Sequence, residues 1–274
     1  MQTSAPSWSG PFLRFERYID SLLRGYETPV VVSFPKSGRT WLELMLDSLG
    51  IKAEFTHDNA DHQYRVPFPK LEPNKVAYRG RKMIFLMREP RDVVVSGYFQ
   101  STKRVGVYGG DISNFVRDER HGIEKIVRFD QAWLAADRDI FKGFLLLRYE
   151  DLHRDTLGQL KRVVDFVGCD FVSDAAMEQA VASTQFDKLQ RLERSGAFKE
   201  KYGASLTPGD VADPESYKVR RGKIGGFVDY LNAEDQAFCA QTMQRLGFDR
   251  WYPIEPPEVQ GHGDVTQRGV KASA

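Results

Sequence analysis

Phe34-Pro35-Lys36-Ser37-Gly38-Arg39-Thr40-Trp41 puts one amine, two hydroxyls and a glycine into a single turn. The run follows an apolar stretch and precedes a helical pattern. Backbone N–H groups at a helix start, the Ser37 and Thr40 hydroxyls and Lys36 together make a local anion cradle that suits a phosphate. Gly38 alone would fit an ordinary strand-to-helix turn; the amine and paired hydroxyls behind a buried strand favour a phosphate loop. The pattern GxxxxGK[ST] occurs nowhere in the chain, which argues against an ATP or GTP hydrolase. His57-Asp58 and Asp61-His62 resemble a ligand cluster by composition. A five-residue interval sets the two histidines about 140° apart on a helix, so no metal is expected.

The elements that must position these groups follow from periodicity. Val30 to Phe34 is a short apolar run ended by Pro35, as in a strand buried on both faces. From Thr40 to Leu49, Trp41, Leu42, Met45, Leu46 and Leu49 recur at helical spacing, and Gly50 suits a C-terminal cap. Met83 to Met87 predicts a second strand, followed by a helix with Pro90 in its first turn. Phe144 to Leu147 predicts a third strand. Helices are predicted over Thr156 to Val167, ended by Gly168, over Asp174 to about Thr184 with Ser173 as N-cap, and over Glu234 to Leu246. Residues 101 to about 128 and 195 to 226 read as loops or lids. The alternation predicts an α/β chain, a three-layer P-loop-like fold with a central, mostly parallel sheet flanked by helices. Residues 1–253 are expected to form one domain, and 254–274 a poorly ordered tail.

Three motifs share one resemblance. The Lys36 loop resembles the 5′-phosphosulfate loop PKSGTTW of cytosolic-type sulfotransferases, which use 3′-phosphoadenosine 5′-phosphosulfate (PAPS). Arg88 and Ser96, in LMREPRDVVVSGYF, resemble that family's 3′-phosphate segment RNPxDxxVSxY. Arg220-Arg221-Gly222-Lys223-Ile224-Gly225-Gly226-Phe227 resembles its late segment RKGxxGDW, which closes over the same phosphate. The resemblance implies that Lys36, Ser37, Gly38, Arg39 and Thr40 hold the donor's 5′ end, with Trp41 a candidate to stack on the adenine. It implies that Arg88, Ser96, Arg220, Arg221 and Gly222 hold its 3′-phosphate, and that Tyr149, Thr184 and Phe186 meet the adenine. Lys36 would steady the leaving oxygen. His57, in Glu54-Phe55-Thr56-His57-Asp58, resembles the base of the family's KTHLP segment, with His62 as the second candidate. The implied product is adenosine 3′,5′-bisphosphate (PAP), with no metal. Three features depart from the family pattern. Arg39 stands where a threonine is usual, Gly226-Phe227 replaces Asp-Trp, and the dimer motif KxxxTVxxxE is missing after Phe227.

Composition bounds the reading. The chain has 274 residues, 41% of them hydrophobic, enough for a sizeable core. No apolar run approaches the roughly 18 residues of a membrane span, and the start lacks a secretory pattern, so a cytoplasmic protein is expected. With 39 Lys and Arg against 38 Asp and Glu, net charge is +1. That balance argues against a broad nucleic-acid-binding face and makes any anion site local. Cys169 and Cys239 are expected to be reduced and buried. Tyr98, Phe99, Tyr108, Phe115 and Trp133 raise the prospect of an apolar pocket for a phenol or lipophilic alcohol. Two rival readings stand beside sulfuryl transfer to a small-molecule hydroxyl acceptor: a non-catalytic nucleotide-binding module, and a P-loop-like small-molecule kinase.

Overall fold

The computed structural model describes residues 23–60, 71, 74–198 and 206–248. His62 and the tail beyond 253 lie outside the described residues. Four parallel strands form the centre: β1 (Val30–Val32), β2 (Glu54–Thr56), β3 (Lys82–Met87) and β4 (Gly143–Arg148), in the order β2-β1-β3-β4. Register pairs Val30 with both Glu54 and Met83, and Lys82 with Gly143. β1 stops two residues short of the predicted Phe34, because Pro35 and the turn that follows take the backbone away from the sheet.

Side chains alternate across a strand, and here the alternation builds two cores. Val30, Val32, Met83, Phe85 and Met87 face one layer of helices. That layer comprises α2 (Pro90–Phe99), α3 (Ile112–Arg117), α4 (Ile123–Leu134) and α9 (Ala233–Arg245). Val31, Ile84, Leu86 and Leu147 face the other layer, built by α1 (Arg39–Ser48), α6 (Thr156–Val167) and α7 (Asp174–Ser183). Fully burying one such side chain contributes about 1.5–3 kcal/mol, so apolar runs without polar interruption become central strands. The predicted three-layer α/β architecture is the one observed.

Helix ends follow local chemistry. The Glu89 carboxylate accepts from Arg91 N, and Pro90 occupies the first turn of α2. Ser173 caps α7 through Ala176 N, Asn232 caps α9 through Asp235 N, and Gly168 closes α6 in a left-handed conformation (φ 84°). Two further helices, α5 (Tyr149–Arg154) and α8 (Phe186–Ser195), complete the set among the described residues.

The expected loop over 101–128 is corrected by α3, α4 and a one-turn π-helix at Gln100–Arg104. Ile123, Ile126, Val127, Trp133 and Leu134 do recur at helical spacing, but Glu124, Lys125 and Arg128 interrupt the pattern when it is read by polarity alone. Lys125 is buried because its ammonium donates to the Arg120 carbonyl at 2.9 Å. In the second expected loop, the described residues from 206 onward hold only short 3₁₀ turns.

Candidate active site

The site sits at the carboxyl ends of the four strands, the usual place for ligands in open parallel sheets. β2 runs into His57, β1 into the Lys36 loop, β3 into Arg88 and β4 into Tyr149. All four line one cavity of about 820 Å³.

The Lys36 loop has two left-handed residues, Lys36 (φ 76°) and Gly38 (φ 95°). Lys36 therefore adopts backbone that a residue with a Cβ occupies at a cost of about 1–3 kcal/mol. At Gly38 a Cβ would lie 2.6 Å from the Tyr149 ring, so glycine is required on both conformational and steric grounds. Gly38 is the N-cap of α1 and makes no side-chain cap, its carbonyl accepting from Trp41 N at 3.0 Å, and the positive end of the helix dipole lies at this turn. Lys36 Nζ donates to Gln100 Oε1 at 3.3 Å. Burial first, and then the neighbouring cations Arg104, Lys218 and Arg220, hold its amine well below the ordinary lysine range, with Glu193 opposing. Gly38, Arg39, Thr40 and Trp41 also line the cavity, whereas Ser37 is buried beneath the loop and does not.

Arg88 is the hub between the early and late motifs. Its guanidinium lies 4.3 Å over the Tyr149 ring. It donates to the Lys36 carbonyl at 3.4 Å and the Lys223 carbonyl at 3.2 Å, and pairs with Asp92 at 3.4 Å. Its Nε is buried with no hydrogen-bond partner among the described residues. Asp92 in turn accepts from Gly225 N (2.9 Å) and Phe227 N (3.0 Å), pinning the late loop to α2. Phe227, where the resembled family has Trp, is buried with its ring 4.2 Å from the Arg91 guanidinium.

Ser96, Thr184, Phe186, Arg220, Arg221 and Gly222 all line the same cavity. Gly222 (φ 61°) packs so closely on Phe186 that a Cβ would meet the ring at 2.6 Å. The Thr184 hydroxyl donates to the Ala180 carbonyl at 2.8 Å. Arg220 is held by Glu215 and by the Tyr230 hydroxyl, each at 2.7 Å, and Arg221 pairs with Asp229 at 2.7 Å. Gln190 on α8 donates to the Val219 and Arg220 carbonyls, giving the loop a second anchor.

His57 reaches the site because β2 pairs in register with β1, Val32 opposite Thr56. Its Nδ1 donates to the Ser33 carbonyl at 2.8 Å, which makes Nε2 the acceptor nitrogen of the neutral ring.

Sequence reasoning missed Asp92, Gln100, Arg104 and Lys218, which line the cavity as well. A signal was present for three of them. Arg88, Asp92, Ser96, Gln100 and Arg104 recur every fourth residue, a polar stripe along α2 and its π-helical extension. The aromatic set behaves differently from the expectation. Phe115 and Trp133 are core, Tyr98, Phe99 and Tyr108 pack against that core, and none of the five lines the cavity.

Comparison with known proteins gives the family. The profile described as "Sulfotransferase domain" matches residues 66–249, more than half of the chain. The chain is 24% identical over 269 residues to cytosolic sulfotransferase 7 of Arabidopsis thaliana, covering 77% of each protein. It is 35% identical over 169 residues to sulfotransferase 2A2 of Mus musculus, covering 53% of this chain and 57% of that one. Its fold is similar to that of mouse sulfotransferase SULT7A1 complexed with PAP, with TM-score 0.59, 18% identity, and 80% and 84% of the two chains covered. With the profile spanning β3, β4 and the late loop, and the fold shared, the chain belongs to the sulfotransferase domain family.

Proposed function

We propose that this enzyme moves a sulfuryl group from PAPS to a hydroxyl of a small-molecule acceptor, leaving PAP. The observation that carries the proposal is the convergence of Lys36 and Arg88 on one cavity, with the Arg88 guanidinium 3.4 Å from the Lys36 carbonyl. A donor with anionic groups at both ends needs two cationic stations joined by a slot, and these residues supply them. The buried Nε of Arg88, without a hydrogen-bond partner among the described residues, and the close approach of the Gly38 and Gly222 backbone to the Tyr149 and Phe186 rings fit such a ligand. The SULT7A1 structure and a retinol dehydratase structure (TM-score 0.56, 17% identity) both contain PAP, which supports the same donor here. The name of the Arabidopsis relative supports a cytoplasmic enzyme, and among the described residues no helix is long and apolar enough to cross a membrane.

In this reading the Arg88 fork and the Ser96 hydroxyl grip the 3′-phosphate, with Arg221 and the Gly222 loop closing over it. Arg220, committed to Glu215 and Tyr230, shapes that loop. Tyr149, Trp41, Thr184 and Phe186 frame the adenine. The α1 N-terminus, Thr40 and Arg39 orient the 5′ end. The donor supplies an activated sulfur whose bond to the phosphate oxygen breaks, electron pair leaving with that oxygen, as the acceptor oxygen bonds to sulfur. His57 Nε2 takes the acceptor proton, and the Lys36 ammonium neutralises charge on the departing oxygen. Positioning and charge supply most of the effect, as in phosphoryl transfer.

The test is transfer of labelled sulfate from PAPS to an acceptor panel, with Lys36→Ala and His57→Gln run in parallel. Each variant is expected to lose about 10²–10⁴ in turnover while still binding PAP. Near-normal transfer by either variant would remove that residue from its role. Tight PAP binding by the parent protein with no transfer to any acceptor would favour a non-catalytic nucleotide-binding module.

A further inference from the structure

The cavity holds more positive charge than the donor motifs account for. Arg104 and Lys218 belong to neither the 5′ nor the 3′ motif, yet both line the cavity with Lys36. Arg104 arrives there on the π-helical turn, closed by the Val105 N to Gln100 O bond at 3.0 Å. Such wide turns recur at functional positions because they re-aim side chains. Gln100 Oε1 accepts from both Lys36 Nζ (3.3 Å) and Arg104 Nη1 (2.9 Å), so two cations meet at one neutral oxygen. Arg104 Nη2 donates to another neutral oxygen, the Thr207 carbonyl, at 2.8 Å. The fully buried Glu193 carboxylate, which does not line the cavity but opposes the cations electrostatically, gives its two oxygens to backbone amides, accepting from Lys218 N at 2.7 Å and Val219 N at 2.8 Å. Lys218 is brought down to about 8 by burial, then by Arg39 and Arg104. Gathering like charges in a partly desolvated space is unfavourable, and an anionic ligand reverses the sign of that interaction. The five aromatic side chains expected to favour a neutral phenol, Tyr98, Phe99, Tyr108, Phe115 and Trp133, are core or pack against it and do not line the cavity.

We propose that the acceptor is itself acidic: an alcohol or phenol carrying a carboxylate, phosphate or sulfate group, held by Arg104 and Lys218 while its hydroxyl faces His57 and Lys36. This rests on the sulfuryl-transfer reading and names the substrate class for the same site. The anionic group takes no part in the bond exchange; it fixes the hydroxyl in line with the donor.

The experiment is calorimetric binding to the full chain, with and without saturating PAP, using pairs matched except for charge. The probes are 4-hydroxyphenylacetate and its amide, glucose 6-phosphate and glucose, and glycolate and glycolamide. At least one charged member is expected to bind tenfold or more tightly than its neutral mate. That advantage should shrink below threefold in Arg104→Gln/Lys218→Gln and weaken between 50 and 200 mM salt, with the neutral mate unaffected. If the double variant fails to fold, Arg104→Gln alone carries the comparison, with the salt dependence of the parent as second readout. No pair with a tenfold preference, or a preference that survives the substitutions, overturns the proposal. A double variant that instead loses tenfold in affinity for PAPS relative to PAP, with the charged-to-neutral ratio unchanged, assigns these cations to the donor's sulfonate and also overturns it. Failure of the parent protein to bind PAP would sink the donor reading instead, and the nucleotide-free arm keeps the two failures separate.

Discussion

Asp92→Asn isolates the contact that joins the two halves of the proposed donor site. The Asp92 carboxylate is nearly fully buried and spends one oxygen on Gly225 N (2.9 Å) and the other on Phe227 N (3.0 Å), with the Arg88 guanidinium at 3.4 Å. Hydrogen bonds to a charged group contribute about 1.5–3 kcal/mol each. The amide of asparagine keeps one acceptor oxygen but turns an NH₂ toward the other backbone N–H, so one bond is lost and two donors are opposed. Loss of a single such bond, with the Arg88 pairing weakened as well, comes to about 3 kcal/mol of loop docking, or on the order of 100-fold in the affinity of a ligand that needs the loop closed. The loop covers the 3′-phosphate in the proposed site, so the loss should fall on PAP and spare adenosine 5′-phosphate, which lacks that group. Titration calorimetry with both nucleotides is the assay, with circular dichroism to show that the fold is retained. PAP is expected to weaken about 100-fold and adenosine 5′-phosphate by less than threefold. Equal weakening of both nucleotides, or unchanged PAP binding, would refute the reasoning.

Two other perturbations follow from the same geometry. Lys36 and Lys218 are depressed in the free protein, first by burial and then by neighbouring cations, Lys218 to about 8 from a usual 10.5. The unfolded chain therefore binds more protons between those values, and stability should rise with pH through that window. A bound polyanion favours the protonated amines, so PAP binding at pH 8 to 9 should take up protons, seen as buffer-dependent calorimetric heats; proton release would contradict this. Gly222→Ala forces a left-handed backbone on alanine and drives a Cβ to 2.6 Å from the Phe186 ring, whereas Gly196→Ala (φ 73°) meets nothing within 4 Å. In urea unfolding, Gly196→Ala should cost about 1–2 kcal/mol, and Gly222→Ala about 1–3 kcal/mol more. Equal costs would remove the proposed Gly222–Phe186 contact.

What the sequence revealed depended on whether a feature was local. The Lys36 loop, the Arg88 to Ser96 spacing and the glycine at 222 are each complete within a dozen residues, so their chemistry could be read before any fold was known. The strand β2 is only Glu54–Thr56 and half-buried, and its existence comes from pairing with β1, which no local preference encodes. The helix α4 was hidden by Lys125, a cation buried through a carbonyl partner that only the folded turn provides. Lys218 meets Lys36 and Arg104 across a cavity built by tertiary packing, and its own neighbourhood, Tyr217 to Val219, carries no signal of that meeting.

Sheet topology also sets the order of the groups in the proposed site. Chain order delivers Lys36, His57, Arg88 and Tyr149, but the strand order β2-β1-β3-β4 rearranges them along the sheet edge as His57, Lys36, Arg88 and Tyr149. Adjacent strands lie about 4.8 Å apart, so the strand leading to the proposed base neighbours the one leading to the proposed leaving-oxygen amine, and its backbone lies two strands, about 10 Å, from the one leading to the proposed 3′ guanidinium. The acceptor hydroxyl must meet sulfur on the side away from the nucleotide, and an edge running base, amine, guanidinium and aromatic ring satisfies that demand. A swap of β1 and β2 would put the base between the two anion stations, where the donor itself must lie. The strained Lys36 backbone and its buried amine persist because a sheet packed on both faces holds β1 rigidly, and that rigidity keeps the four stations in line.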